Sequence, residues 1–265
     1  MSTMLAQYSN TLMEDLWKHL APGFYNYGRI APDADLDSIP DLQQANEEMV
    51  QYIISKLGIT KESKLLDLAC GKGMYTVRIA EITGCSYTGV DLTEHYLEEC
   101  KQWAASHGVT DQGEFLQGSM LDIPARVKEQ KYSHIISLGA VFYVHNKLDQ
   151  LLENFSSCAD DQTKILIWDF HRNVDWSLCE VANRHLKMAF PMASKEEFLE
   201  KVERSKLELA DLEDMTPYII PGYKIMEREC RNRDPELKYL TYPFFGQAII
   251  EGKVSYAFYY LKLSQ

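Results

Sequence analysis

Two carboxylates and two glycines in the first third of the chain mark out a chemical site. Asp67 lies in L-L-D-L-A-C-G-K-G (65–73), Gly71 and Gly73 form the turn that ends this stretch, and Asp91 closes S-Y-T-G-V-D (86–91). An apolar run, a glycine turn and a helical pattern make the strand, loop and first helix of a parallel α/β unit. The backbone N–H groups of that helix's N-terminus face the crevice. A dinucleotide turn would read G-x-G-x-x-G or G-x-G-x-x-A. Counted from Gly71, the third slot holds Thr76. Asp67, ahead of the glycines, would repel a pyrophosphate and suits an ammonium group. Asp91 follows Gly71 by about 20 residues, where a carboxylate accepts both hydroxyls of a ribose. These residues ask for a ribose and a cation, with no pyrophosphate between them.

The surrounding pattern supplies the elements that must hold them. Helical spacing is expected within 1–22 and from 42 to 57, with Gly58 as the stop. Strands are expected at 64–68, 86–90, 114–117, 132–138 and 164–169, with helices at 74–82, 94–106 and 147–157 between them. Strands separated by helical patterns indicate βαβ units and a parallel sheet. After the fifth strand the rhythm changes. Helices are expected at 176–189 and 194–210, with no clear strand in 171–222. Two closing strands are expected at 225–231 and 254–263, the last placing an antiparallel strand at the sheet edge.

A ribose beside a cation describes S-adenosylmethionine, which carries adenosine, a sulfonium and an amino-acid ammonium. D-L-A-C-G-K-G resembles the first motif of class I S-adenosylmethionine-dependent methyltransferases, with Ala69 in a slot that is often glycine. G-V-D-L resembles the acidic end of the second strand, with Asp91 on the ribose and Leu92 beside it. G-S-M-L-D-I-P (118–124) is similar to the adenine segment, with Ser119 where an aspartate is common and Met120 against the ring. The stretch after the fourth strand, S-L-G-A-V-F-Y-V-H (137–145), is similar to the segment that touches the methionine part, where the Leu138 carbonyl would hold the ammonium. The resemblance covers about 42–170. It implies a Rossmann-like sheet of seven strands with the last antiparallel, a helical N-terminal lid and a helical cap insertion. The cofactor-binding set it implies is Asp67, Ala69, Gly71, Gly73, Asp91, Leu92, Ser119, Met120 and Leu138.

Methyl transfer is an in-line displacement that needs alignment, exclusion of water and, for some nucleophiles, a base. Three stretches can reach the acceptor. F-Y-N-Y-G-R (24–29) resembles aromatic–glycine segments of sterol and prenyl-diphosphate C-methyltransferases, and Tyr25 and Tyr27 either cover the sulfonium or pack the lid. His145, after the fourth strand, is a candidate base or a loop anchor. His171 and Arg172 end the fifth strand and could bind an anionic group. Tyr143 and Trp176 would give an aromatic wall. Glu180 and Arg184 lie on the first cap helix, where a basic group near the pocket and a solvated face are both open readings. The candidate catalytic residues are Tyr25, Tyr27, His145 and His171, the candidate substrate residues Tyr143, Arg172, Trp176, Glu180 and Arg184, and no metal is expected.

Bulk properties narrow the class. The chain has 265 residues, is 46% hydrophobic and carries a net charge of −12. This is ample for one α/β domain and wrong for a polyanion binder, which needs a basic face. No apolar run reaches the about 18 residues of a membrane helix, and the first thirty residues do not read as a secretory leader. Six cysteines without C-x-x-C spacing are expected to be reduced thiols. A cytoplasmic monomer or homodimer acting on a small molecule is expected, in one domain: lid 1–57, cofactor core 58–170, cap 171–224, closing strands 225–265.

Overall fold

The computed structural model describes residues 11–39, 41–174, 192–233 and 241–264. In chain order the elements are α1 (Thr11–Leu20), α2 (Gln43–Leu57), β1 (Lys64–Leu68), α3 (Met74–Thr83), β2 (Ser86–Asp91), α4 (Glu94–Ser106), β3 (Gly113–Gln117), α5 (Ala125–Lys128), β4 (His134–Leu138), α6 (Leu148–Ser157), β5 (Lys164–Arg172), α7 (Lys195–Glu203), β6 (Leu207–Asp214), α8 (Thr216–Arg233), α9 (Thr241–Ile250) and β7 (Val254–Leu263).

The seven strands form one sheet in the order β3-β2-β1-β4-β5-β7-β6. β1 to β5 run parallel, and β7 is antiparallel to both β5 and β6. The expected seven-stranded sheet with an antiparallel last strand is what the chain forms. The strand order reverses between β1 and β4, which opens a crevice at their carboxyl ends. Alternation along each strand divides the core in two. Leu65, Ile136, Leu166, Trp168 and Phe170 face the N-terminal helices, while Leu66, Leu68, Ile135, Ile165 and Ile167 face α6 and α7.

The N-terminal segment docks on the first of these faces. α2 buries Met49, Val50, Ile53 and Leu57 and ends at Gly58, whose φ of 67° is left-handed. The 24–29 stretch crosses α2 at Gly28, where an added Cβ would lie 2.3 Å from the Ala45 carbonyl carbon. Asn46 donates to the Asn26 carbonyl at 2.9 Å, and Tyr75 Oη donates to Asn46 Oδ1 at 2.6 Å.

Two expected elements are corrected beyond β5. The helix expected over 194–210 stops at Glu203, and L-E-L-A-D-L-E-D forms β6 instead. Its composition reads as helix, but Leu207 is buried against β7 while the acidic residues stay on the open edge, and a bulge lies between Leu209 and Asp211. The strand expected at 225–231 lies inside α8, so the boundary at 224 cuts a helix. Ile219, Tyr223 and Met226, all buried, recur at helical spacing. The expected helix at 176–189 lies outside the described residues. None of the helices searched among the described residues is long and apolar enough to cross a membrane.

Candidate active site

The turn after β1 is built by its backbone. Ala69 and Cys70 both donate to the Val90 carbonyl, at 2.8 and 3.1 Å, and Gly73 donates to Cys70 O at 2.9 Å. Ala69, Gly71 and Gly73 have φ of 64°, 57° and 75°. The first of these is a left-handed alanine, a strain of about 1 kcal/mol or more that a glycine would avoid. At Gly73 a Cβ would meet Cys100 Sγ at 2.7 Å, while at Gly71 it would find no atom within 4 Å. Gly71 therefore floors an open cradle, with α3 beginning behind it.

The carboxylates flank this cradle. Asp91 Oδ2 accepts from the Gly71 N–H at 2.8 Å and Oδ1 accepts from the Thr93 N–H at 2.9 Å. Burial raises its pKa against the pull of the Thr93 and Gly71 N–H groups. Asp67 is wholly buried. Thr76 Oγ1 donates to its Oδ2 at 2.5 Å, and its Oδ1 has no hydrogen-bond partner. Burial pushes its pKa up to about 7, the Thr76 bond pulls it down, and Asp91 adds to the rise. A buried carboxylate oxygen without a partner at the end of β1 is suited to a cationic N–H donor. These acceptors fit S-adenosylmethionine: Asp67 would face its ammonium and Asp91 its ribose, with the cradle between.

The remaining cofactor candidates are placed unevenly. Leu92, the first residue after β2, is an apolar side chain that is 44% exposed. The Ser119 hydroxyl accepts from the Leu121 N–H at 3.1 Å, so it shapes its own loop. Met120 packs in the core on the α6 side, and its carbonyl accepts from Asn154 at 2.9 Å. Leu138 is half-buried at the end of β4. The next residue, Gly139, donates to Trp168 O at 2.6 Å and has Tyr256 Oη at 3.2 Å from an added Cβ.

On the lid face, Tyr25 is half-buried, with its ring 5.5 Å from Trp17 and 5.9 Å from Tyr96. Tyr27 is buried and stacks on Tyr223 at 3.7 Å, a contact in keeping with packing of the lid onto α8. Phe142, Tyr143, Phe170 and Tyr256 form an aromatic wall near the ends of β4 and β5, with Phe170 edge-on to Phe142 at 5.0 Å and to Tyr256 at 3.8 Å. Trp176, Glu180 and Arg184 lie outside the described residues.

Three expected site residues turn away from the crevice. The Ala193 N–H donates to His145 Nδ1 at 2.6 Å, so the ring proton sits on Nε2, which donates to Asp169 Oδ2 at 2.8 Å. Both nitrogens of this buried ring are engaged, and it anchors the 193 backbone instead of serving as a base. Asp169 and His171 share the strand face of Ile165 and Ile167, because β5 alternates. The His171 ring lies buried against those of His145, Phe198 and Tyr259, and burial pushes its pKa down to about 4. Arg172 is committed too: its Nε donates to Met192 O at 3.1 Å and its guanidinium pairs with Glu197.

Two residues at the turn had no role in the sequence reading. Thr76, noted only as the wrong residue for a dinucleotide turn, is the hydroxyl that holds Asp67. Lys72 is buried at 4% exposure, and no feature of sequence distinguishes it from a solvated lysine.

The family described as a methyltransferase domain matches residues 59–219. Methyltransferase GfsG of Streptomyces halstedii is 22% identical over 205 residues, 72% of each chain. Sterol 24-C-methyltransferase erg6 of Schizosaccharomyces pombe is 23% identical over 92 residues, 35% of this chain and 24% of that one, so this chain spans about a quarter of that relative. Among solved structures, a sarcosine dimethylglycine methyltransferase from Galdieria sulphuraria superposes with a TM-score of 0.82 at 16% identity, over 96% of this chain and 98% of that one. Geranyl diphosphate C-methyltransferase from Streptomyces coelicolor A3(2) superposes with a TM-score of 0.75 at 17% identity, over 97% and 99%. At these identities the structural likeness is one of fold.

Proposed function

Because the chain belongs to the methyltransferase-domain family, we propose that it transfers a methyl group from S-adenosylmethionine to a small, partly apolar acceptor, with carbon of an isoprenoid-like molecule as the leading target. When bound, the cofactor supplies an electrophilic methyl on a sulfonium. The chain's own residues do the rest. Asp67 holds the amino-acid end of the cofactor and Asp91 its ribose, about the Gly71 cradle, and the lid residues exclude water from the crevice.

The observation that carries the acceptor reading is the aromatic wall of Phe142, Tyr143, Phe170 and Tyr256 near the ends of β4 and β5. Ring faces favour positive charge, both at a sulfonium and at a carbon that becomes cationic when a π bond attacks a methyl group. His145 and His171, the histidines considered for the base role, lie on the α6 and α7 face of the sheet, which supports a nucleophile that attacks before losing a proton. Arg172, held by Met192 and Glu197, is spoken for. That favours an uncharged acceptor over an anionic one.

Oxygen or nitrogen methylation is the second reading, because the half-buried Tyr143 hydroxyl could orient a heteroatom. A cofactor-binding sensor without turnover is the alternative of another class. Incubation with trideuteromethyl-labelled cofactor and a panel of isoprenoid alcohols, isoprenoid diphosphates, phenols and amines, read by mass spectrometry and NMR, separates these. A C–CD3 product supports the proposal. An O–CD3 or N–CD3 product replaces its acceptor, and cofactor binding without any product supports the sensor.

A further inference from the structure

Lys72 occupies the middle of the G-x-G turn, yet its side chain is only 3% exposed. A buried ammonium is unfavourable unless paired. Its partners come from two other elements. Glu99 on α4 lies 3.0 Å from Nζ, and the rings of Tyr25 and Tyr96 have their centroids 4.9 and 5.4 Å away. Tyr96 and Glu99 both belong to α4, whereas Tyr25 belongs to the lid. Lys72 is thus a charged link between the cofactor turn and the aromatic stretch that covers the crevice.

Neighbouring contacts run in the same direction. A Cβ on Gly23 would lie 2.5 Å from Met74 Cε, and Phe24 sits edge-on to Tyr75 at 5.0 Å. Lid residues 23–25 therefore rest on residues 72–75, where the turn becomes α3. The apolar contacts are side-chain packing that tolerates small shifts. The Lys72 contact depends on charge, and Lys72 stands between two glycines whose left-handed backbone sets the cradle.

We propose that Lys72 is a positioning residue that latches the lid to the cofactor turn, with Tyr25 as the lid's receiving surface and Glu99 as the counter-ion. The proposal rests on reading this turn as the cofactor site, and its test keeps the two apart.

The test is hydrogen exchange followed by mass spectrometry on the full chain, with and without S-adenosylhomocysteine, for wild type, Lys72→Met, Lys72→Arg and Glu99→Gln. In the unliganded chain, peptides covering 22–30 exchange about tenfold faster in Lys72→Met, as loss of a desolvated cation–π contact implies. Peptides in β5 and α6 stay at the wild-type rate, which separates latch release from global loosening. Lys72→Arg restores most of the protection, and Glu99→Gln gives an intermediate rate. With ligand, the turn peptide is protected in both wild type and Lys72→Met, but the lid peptide gains protection in wild type alone. Equal lid exchange in Lys72→Met and wild type overturns the latch. If Lys72→Met is poorly folded, the Glu99→Gln lid rate decides alone, and a wild-type rate there overturns the latch. Absence of ligand protection at 69–75 in wild type overturns the cofactor reading, while the unliganded comparison still decides the latch.

Discussion

Gly71 donates its backbone N–H to Asp91 Oδ2 at 2.8 Å, so the turn after β1 and the end of β2 are tied by one hydrogen bond. Asp91 thereby holds the cradle in place, beside the role proposed for it toward a ribose. Removing it loses both. Asp91→Ala is expected to weaken S-adenosylhomocysteine binding by at least about tenfold, the scale of lost hydrogen bonds to a charged group. Calorimetric titration of the variant checks this, and an unchanged affinity removes Asp91 from the ribose.

Asp67 makes the site sensitive to pH. Its carboxyl goes from an ordinary 3.8 to about 7 on burial. Between these values the folded chain binds more protons than the unfolded one. The group's contribution to stability is therefore greatest at acid pH and falls as pH rises through that window. A ligand ammonium beside the orphan Oδ1 favours the ionised form. Binding near pH 6.5 should release about half a proton or more in wild type, and affinity should rise between pH 5.5 and 8. Titration in two buffers of different ionisation enthalpy measures the proton. Asp67→Asn should abolish its release, and equal release in both proteins would separate Asp67 from the ligand.

Gly28 is where the lid crosses α2, at a φ of 68° and with the Ala45 backbone 2.3 Å from any added Cβ. Gly28→Ala should lower unfolding free energy by about 2–4 kcal/mol through backbone strain and displacement of 24–29. Denaturant titration gives the stability. Trp17, whose ring lies 5.5 Å from Tyr25, offers a fluorescence signal for the lid. A variant of wild-type stability and emission would show that the lid docks elsewhere.

His145 is expected to act as an anchor. His145→Ala leaves the Ala193 N–H and Asp169 without their partner and should cost about 2–4 kcal/mol of stability. Affinity for S-adenosylhomocysteine should change by less than about threefold, because the ring lies on the α6 and α7 face. If a methylation assay shows turnover falling about a hundredfold at full stability, the base role returns to His145.

Legibility in the sequence followed the locality of the cause. The turn could be read because Asp67, Gly71 and Asp91 act through backbone geometry that their own spacing defines. The inner strands could be read because strands buried on both faces are mostly apolar, as in L-L-D-L and H-I-I-S-L. β6 could not: an edge strand buries little, and its Leu, Glu and Ala content favours helix until β7 pairs with it. α8 was not legible because its stretch at 225–231 reads as a strand, while Pro221 and Gly222 lie inside the helix, where Tyr27 O would be 2.7 Å from a Cβ on Gly222. His145, His171 and Arg172 were assigned to the crevice from their position after a strand. Strand alternation decided the faces of Asp169 and His171, while 192–197 claimed His145 and Arg172. Lys72 went unassigned because its burial is a tertiary fact, made by Tyr25, Tyr96 and Glu99 from elsewhere in the chain.

We propose that the 67–73 turn serves an adenosyl cofactor with a cationic tail and no pyrophosphate. Calorimetric titration of the purified chain with S-adenosylhomocysteine and, in parallel, with NAD tests it most directly. The structure predicts a single S-adenosylhomocysteine site with an affinity on the order of micromolar and no measurable heat with NAD. Saturable NAD binding, with none of S-adenosylhomocysteine, would contradict the account at its base.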